Sequence, residues 1–344
     1  MLYVTYFYMK RIKVGLNGFG RIGRAFTRIA SNRDTFEIVA INTRATTPDM
    51  LAYLLQYDSV YRRFNKKVEA GTDFITIDGK KIPALMVADI VAIPWGDYGV
   101  DVVVDATGAF TKKEDLIKHV RGSVKKVLLT APAKDEMTHV VLGVNDETID
   151  WKNEQVISNA SCTTNCAAPM FKILENEFGV EMGYLTTVHA YTATQSLVDE
   201  ANKKPDRSRA AALNIAPSTT GAATAVAKVI PSLQGKLDGM SLRVPVPVVS
   251  FTDISAVMKK TVTAEEINAV FKKHAEGDMK EILSYETAPL VSSDFIGDTH
   301  SCIFDANYTK VINGTLAKVF GWYDNEWGYS ERIVDLVEKV SDFV

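Results

Sequence analysis

Short runs of β-branched and aliphatic residues alternate with helical periodicity through the first half of the chain. Ile12 to Leu16 is one such run, closed by Asn17-Gly18, after which Ile22, Ala25, Phe26 and Ile29 recur at the spacing of one helix face. The pattern predicts strand, glycine turn, helix. Phe36 to Ile41 predicts a second strand. Thr47-Pro48-Asp49 then supplies an N-cap residue, a first-turn proline and an acid at the positive end of a helix running through Leu51, Leu54 and Leu55. Further strands are predicted at Val102 to Val104 and Lys126 to Leu129, with a helix around Glu114 to His119 between them. Strands alternating with helices at this pitch predict an α/β fold built on a doubly wound, parallel, Rossmann-type sheet.

The pattern changes after Ser161. Ala167, Met170, Phe171, Leu174 and Phe178 line one face of a predicted helix from Cys162 to Phe178, and Gly179 is a natural stop. Beyond it come longer strands without regular crossover helices, at Tyr184 to Val188, Met240 to Val246 and Lys318 to Trp322, which predict an α+β domain with a mainly antiparallel sheet. Ser330 to Val340 predicts a terminal helix. The expected division is residues 1–161 for the first domain, 162–325 for the second, and 326–344 for a C-terminal helix returning to the first. No internal repeat or low-complexity linker separates them, so the two domains are expected to press together around a shared cleft.

Length and composition bound the function. At 344 residues the chain is long for one core and short for three. With 24% charged and 47% hydrophobic residues it has ordinary globular composition. A net charge of -3 gives no basic footprint for nucleic acid and no polybasic membrane patch. No apolar run approaches the roughly 18 residues that span a bilayer. Cys162, Cys166 and Cys302 do not make a disulfide framework; they fit a reducing compartment, and a cytoplasmic location is expected. The opening MLYVTYFYM lacks a positive n-region and a small-residue cleavage site, so residues 1–8 read as an extension or an upstream start rather than a signal peptide.

Candidate chemistry is concentrated in a few stretches. Gly18-Phe19-Gly20-Arg21-Ile22-Gly23 matches G-x-G-x-x-G after a predicted strand and at the start of a predicted helix, the context in which glycines let a backbone approach a pyrophosphate. The stretch that should present an acid to the adenosine ribose, Ile41 to Thr47 (INTRATT), contains none. Cys162 sits in SNASCTTNC near the positive end of a helix, an environment that lowers a thiol pKa and makes a nucleophile; a buried structural cysteine is the alternative. Cys166, one turn on, reads as a core residue, and Cys302 has no neighbour that suggests chemistry. His189 ends a strand and precedes the hydroxyl-rich segment Ala190 to Gln195, which makes it the best candidate base; His119, His139, His274 and His300 fit solvated or structural roles. Thr192, Thr194, Arg207, Arg209, Ser218-Thr219-Thr220-Gly221 and Arg243 could bind anions, since arginine forks and clustered donors suit phosphate. No metal site is expected.

Taken together, NGFGRIGR, SNASCTTNC, TVHAYTATQ, RAAALNIAPSTTGAA, LRVPVPVVS and WYDNEWGYS, in this order and spacing, closely resemble the phosphorylating glyceraldehyde-3-phosphate dehydrogenase family, from about Lys10 to the C-terminus. The resemblance implies that Cys162 attacks the aldehyde of glyceraldehyde 3-phosphate with His189 as base, that hydride passes to a nicotinamide, and that inorganic phosphate releases 1,3-bisphosphoglycerate from a thioester. It implies that Thr192, Arg207 and Arg243 hold the substrate phosphate, with Thr194 a further phosphate-binding candidate, and that Ser161, Thr163, Thr220 and Gly221 hold the attacking phosphate or shift with it. On the cofactor it implies Arg21 and Ile22 against the pyrophosphate, Thr130 near the nicotinamide ribose and Asn325 on the carboxamide; Gly18 and Gly20 of the glycine motif, with Thr107 and Gly108, complete the expected cofactor-binding set. A homotetramer is also implied, with Tyr191 to Asn214 reaching toward a neighbouring subunit. Erythrose-4-phosphate dehydrogenase, a relative on the same scaffold, and a catalytically silent binding protein are the competing readings.

The sequence departs from the family where specificity is set. The aspartate typical of NAD-binding members falls at Thr43, twenty residues after Gly23. A carboxylate there accepts from the ribose hydroxyls and repels a 2′-phosphate. Thr43 can instead donate to a phosphate oxygen, and Arg44 can add a charge-assisted bond of about 1.5–3 kcal/mol if well placed. NADP is therefore the expected cofactor, with NAD the alternative. Glu200 in the inter-subunit segment counts against a 2′-phosphate if close; Ser208 and Thr224 are lesser departures.

Overall fold

The computed structural model describes residues 11–344, so the reading of residues 1–8 lies outside the described residues. The first half folds around a nine-stranded sheet. Its centre is the strand Ile12–Asn17, paired in parallel with Phe36–Thr43 on one side and Val102–Asp105 on the other. The parallel order continues outward through Lys126–Leu129, Val156–Ser158 and Thr138–His139. The chain therefore reverses its direction of winding at Ile12–Asn17, and the loops leaving this strand and Val102–Asp105 meet at that switch point, where α/β sheets bind ligands. Gly18 shows how closely they meet: it has φ +98°, and a Cβ there would lie 2.7 Å from the backbone of Ala106 and Thr107.

Helix α1 (Arg21–Ala30) leaves the glycine turn, and α2 (Pro48–Gln56) follows Thr47 as expected. The periodicity over Glu114 to His119 yields less than a full helix: α3 (Lys113–Leu116) is one turn, continued as a 3₁₀ turn to His119. His119 is fully buried; Trp95 Nε1 donates to its Nδ1 at 3.0 Å, leaving Nε2 to face Asp105 at 3.4 Å. It braces the first sheet rather than meeting solvent. The outer edge of that sheet is not parallel. Phe74–Ile77 pairs antiparallel with Lys80–Met86 and with Val68–Ala70, through a turn at Asp78-Gly79 where both residues have positive φ.

The second half is organised by α4 (Cys162–Phe178), with the bounds its periodicity predicts. Its apolar face, including Ala167, Met170, Phe171 and Leu174, is fully buried on an eight-stranded sheet. That sheet runs from Ala216–Thr219 through Leu237–Val244, Val180–Ala190, Ser250–Met258, Leu316–Tyr323 and Cys302–Asp305 to Leu283–Glu286, mostly antiparallel. Two of its pairings are parallel, including Val180–Ala190 with Leu237–Val244. Two helices interrupt the strands unannounced: α5 (Ala222–Val229) and α6 (Ala264–Glu276). The last helix, α7 (Trp327–Ser341), packs against α1, and Tyr329, Ile333 and Val337 join the core of the first sheet.

Helix α6 is held at its start by a reciprocal capping box, in which Thr263 Oγ1 accepts from Glu266 N and Glu266 accepts from Thr263 N. Thr263→Ala removes half of that box far from the cleft. We expect a loss of about 1 kcal/mol in urea unfolding, with specific activity per folded chain unchanged; an unmoved midpoint would show that α6 is held by packing alone.

Candidate active site

The first wall of the site is built from the glycine turn. A Cβ on Gly23 would sit 2.3 Å from Gly18 O, so the third glycine lets helix and loop close on each other, whereas a Cβ on Gly20 would meet nothing. Gly20 instead faces a cavity of about 770 Å³ lined by the glycine turn, Thr43, Arg44, Thr107 and Phe110. The start of α1, whose free backbone amides suit a pyrophosphate, follows directly from Gly20. The chain thus presents the floor, the open space and the donors that a dinucleotide needs.

Two side chains on this wall are engaged by neighbours. The Arg21 guanidinium forms ion pairs with Glu326, at 2.6 Å from Nη2, and with Asp58. Only the backbone of Arg21, beside that of Ile22, is left for an anion. Thr43 spends its hydroxyl within its own turn, accepting from Thr46 N at 3.2 Å and lying 3.3 Å from Thr46 O. It is a brace rather than a free donor. Arg44 is exposed, lines the cavity and makes no hydrogen bond or ion pair among the described residues. Thr107 is tied to Asp105 through both its amide and its hydroxyl, Gly108 takes φ +64° beside it, and Thr130 follows the C-terminal end of Lys126–Leu129.

The second wall begins where the first sheet hands over to α4. Val156–Ser158 ends, the chain turns through Asn159-Ala160, and Ser161 caps α4 by accepting from Thr164 N at 3.0 Å. Ala160 is buried with φ +55°, a strained conformation for a residue with a Cβ. It is held there by Ser158, whose Oγ accepts from Ala160 N, and by Tyr329, whose hydroxyl donates to Ala160 O at 2.9 Å. Cys162 is thereby fixed as the first residue of α4, half-buried at its positive end.

His189 arrives from the other sheet. It is near the end of Val180–Ala190, and its Nε2 lies 3.5 Å from Cys162 Sγ. Parallel register sets Arg243 directly beside it, with Nη1 at 2.7 Å from His189 Nδ1 and at 3.1 Å from Ala190 O. Ala190 O is also 2.7 Å from Nδ1. When Nδ1 carries the proton and donates to Ala190 O, Nε2 is a bare base facing the thiol; when Nδ1 accepts from Arg243, Nε2 is the donor and Sγ the acceptor. Burial pushes the Cys162 thiol up to about 11, opposed by Arg243 and by hydrogen bonds at the start of α4. Burial, then the positive charge of Arg243, hold His189 down to about 3. Burial thus acts against either ion alone, while Arg243 and the hydrogen bonds at the start of α4 act in favour of the thiolate. Moving one proton across the 3.5 Å gap charges both partners at once and leaves the pair neutral overall.

The anion candidates divide. Arg207 Nη2 donates to Ser218 Oγ at 2.9 Å, Nη1 reaches Thr194 Oγ1 at 3.4 Å, and Thr194 and Thr192 share a hydroxyl bond of 2.8 Å. These groups form one cluster. Arg209 leaves it, pairing with Asp199 at 2.9 Å on the surface. Thr163 is bound to the hydroxyl of Tyr323, which also meets Thr187, so Thr163 is engaged inside the core. Thr220 Oγ1 accepts from Ala222 N, and exposed Gly221 caps α5 with no side chain in the way. Cys166 and Cys302 are fully buried core residues. His139, His274 and His300 bond to Met137, to Asp278 and Glu177, and to Asp298, away from the thiol.

Asn325 is positioned by a group that sequence reasoning passed over: Ser250 Oγ donates to Asn325 Oδ1 at 2.9 Å and accepts from Ala190 N at 3.1 Å. The side-chain amide NH₂ of Asn325 is thereby turned away from this bond. Tyr323, Tyr329, Glu326 and Asp58 were likewise missed. Tyr323 and Tyr329 lie in WYDNEWGYS, but their partners are more than a hundred residues away. No described helix is long and apolar enough to cross a membrane.

Comparison with known proteins agrees with both walls. The family model described as glyceraldehyde 3-phosphate dehydrogenase, NAD binding domain, matches residues 12–113, and that of the C-terminal domain matches residues 161–325. Glyceraldehyde-3-phosphate dehydrogenase 2 of Streptomyces avermitilis is 51% identical over 332 residues, covering 96% of this chain and 99% of the relative. The corresponding protein of Geobacillus stearothermophilus is 49% identical over 330 residues, with 96% and 98% covered. Glyceraldehyde-3-phosphate dehydrogenase 2 of Bacillus subtilis is 46% identical over 331 residues, with 96% and 97% covered. With both halves of the cleft matched by their own family models and relatives aligned nearly end to end, the chain belongs to the glyceraldehyde-3-phosphate dehydrogenase family.

Proposed function

We propose that the chain oxidises D-glyceraldehyde 3-phosphate with inorganic phosphate to 1,3-bisphosphoglycerate, using NADP in preference to NAD. The observation that carries this reading is the approach of Cys162 Sγ to His189 Nε2, 3.5 Å, at the start of α4. Cys162 sulfur bonds to the aldehyde carbon, and the thiol proton crosses to His189 and on to the new oxyanion, giving a thiohemiacetal. His189 then takes back that hydroxyl proton as the carbon–hydrogen bond breaks, leaving a thioester. The nicotinamide, when bound, supplies the hydride acceptor. Phosphate oxygen next attacks the thioester carbonyl, the carbon–sulfur bond breaks, and the thiolate regains a proton.

Around this pair, Thr192, Thr194, Arg207 and Arg243 receive the substrate phosphate. Ser161, Thr220 and Gly221 receive the attacking phosphate, with Thr163 acting through the start of α4. The glycine turn and the amides of Arg21 and Ile22 receive the pyrophosphate, Thr107, Gly108 and Thr130 line the path to the nicotinamide, and Asn325 holds its carboxamide. Of the described residues, 11–161 form the cofactor domain, 162–325 the catalytic domain, and 326–344 return to the first. The NADP preference rests on Arg44, which is unpaired and lines the cavity where the ribose acid is missing. Leu197, Val198 and Leu213 are 79%, 65% and 82% exposed in the segment after His189, apolar surface that supports burial against other subunits of a homotetramer.

Steady-state oxidation of glyceraldehyde 3-phosphate, with and without phosphate, tests the activity; turnover of erythrose 4-phosphate alone would overturn it. NADP should give the higher kcat/KM, and Arg44→Ala should lower that value about tenfold while sparing NAD. A strong NAD preference untouched by the substitution would remove the NADP assignment. Cys162→Ser should abolish turnover, and retained dehydrogenase activity would sink the thioester route. In His189→Asn the thiol loses its proton acceptor and the cost of burying the thiolate is left uncompensated. Its iodoacetamide reaction should therefore slow at neutral pH, about 10²-fold or more, and the rising limb should shift to higher pH; an unmoved limb would show that His189 does not govern the thiol.

A further inference from the structure

The two arginines in the segment after His189 each have an aspartate, and the pairs differ. Arg209 and Asp199 are well exposed, and their ion pair holds Arg209 at the surface. Arg207 and Asp206 are drawn inward, with 12% and 28% of their side chains exposed. They occupy the 3₁₀ turn Pro205–Arg207, which a proline begins. Asp206 Oδ2 accepts from Ser218 Oγ at 2.8 Å and lies 3.4 Å from Arg207 Nε, while Arg207 Nη2 donates to the same Ser218 Oγ at 2.9 Å. Carboxylate, hydroxyl and guanidinium thus close a ring along the Nε–Nη2 edge of the fork.

That ring ties a loop to a sheet. Ser218 lies in the strand Ala216–Thr219, whose register sets Ala216 opposite Arg243. The position of Arg207 relative to Arg243 is therefore fixed through Ser218. Two cations in one cluster repel each other. Burial first, then the charge of Arg207, disfavours the Arg243 cation, and Asp206 is among the groups that act the other way. A carboxylate beside such arginines has two opposed effects: it anchors the fork, and it opposes an incoming anion. The opposition is weakened by water and salt at a partly exposed side chain, whereas a fork without an anchor must be ordered anew each time a phosphate binds. Anchoring is the stronger effect.

We infer that Asp206 is a positioning residue for the phosphorylated substrate: together with Ser218 it clamps the Nε–Nη2 edge of Arg207 and leaves Nη1, beside Thr194 and Thr192, for the substrate phosphate. Nη1 is 3.4 Å from Thr194 Oγ1, which shares its bond of 2.8 Å with Thr192 Oγ1. The inference rests on the phosphate role given to Arg207 above, and its test separates the two.

The test is the ratio of kcat/KM for D-glyceraldehyde 3-phosphate to that for D-glyceraldehyde, which lacks the phosphate, measured on the full-length protein at one inorganic phosphate concentration. Asp206→Ala should lower that ratio about tenfold, as loss of one charge-assisted contact would. Asp206→Asn removes the charge and keeps an acceptor for Ser218, so its ratio should stay within about threefold of wild type. In an Arg207→Ala background, Asp206→Ala should change the ratio less than about twofold, because the fork it anchors is gone. An unchanged ratio in Asp206→Ala overturns the inference, as does one in Ser218→Ala, which breaks the same ring with both charges kept and serves if Asp206→Ala does not fold. A ratio that both Asp206 variants raise alike overturns it too, since the carboxylate would then act only by opposing the anion. Equal loss with the two aldehydes also overturns it, since Asp206 would then only brace the segment. A ratio that Arg207→Ala leaves at the wild-type value overturns the phosphate role of Arg207 and this inference with it.

Discussion

The chemistry of this chain depends on a single turn, Asn159-Ala160-Ser161, where the last strands of one sheet give way to the helix that fills the core of the other. A left-handed alanine costs about 1–3 kcal/mol, and the surroundings over-determine it. Ser158 and Tyr329 hold Ala160 from both sides, and Asn165 Nδ2 donates to Asn159 O at 2.7 Å. Because α4 is locked along its length by a fully buried apolar face, its first residue has nowhere else to go. The position of the thiol is thus a product of packing far from it.

Electrostatics adds a second condition. Removal from water disfavours thiolate and imidazolium separately. Arg243, set beside His189 by strand register, favours the thiolate and disfavours a charged ring. The two effects pull a shared proton in opposite directions, and the balance shifts with any anion that arrives to neutralise Arg243.

Much of the fold was legible because periodicity is a local property. The bounds of α4 follow from its apolar stripe and its terminal glycine, and the central strands from their β-branched runs. What was missed had its own local signs: Asp78-Gly79 marks the antiparallel edge hairpin, and Thr263 with Glu266 marks the start of α6. The short form of α3 had none, since it follows from burial of His119 against Trp95 and Asp105. The site was legible by residue type and only in part by role. Cys162 and His189 could be picked out, but that they meet depends on the two sheets coming together. Whether Arg21 and Thr43 face a ligand or a neighbour was decided by Glu326, Asp58 and Thr46, whose proximity no spacing reveals for the first two.

The bond between Arg21 and Glu326 has a mechanical meaning. Arg21 is the first residue of α1, at the glycine turn, and Glu326 follows Asn325 directly in sequence and caps the start of α7. Asn325 is itself anchored through Ser250 to the strand end that carries His189. The glycine turn and the strand end that carries His189 are therefore tied to each other through Glu326, Asn325 and Ser250, so a displacement of either is transmitted to the other.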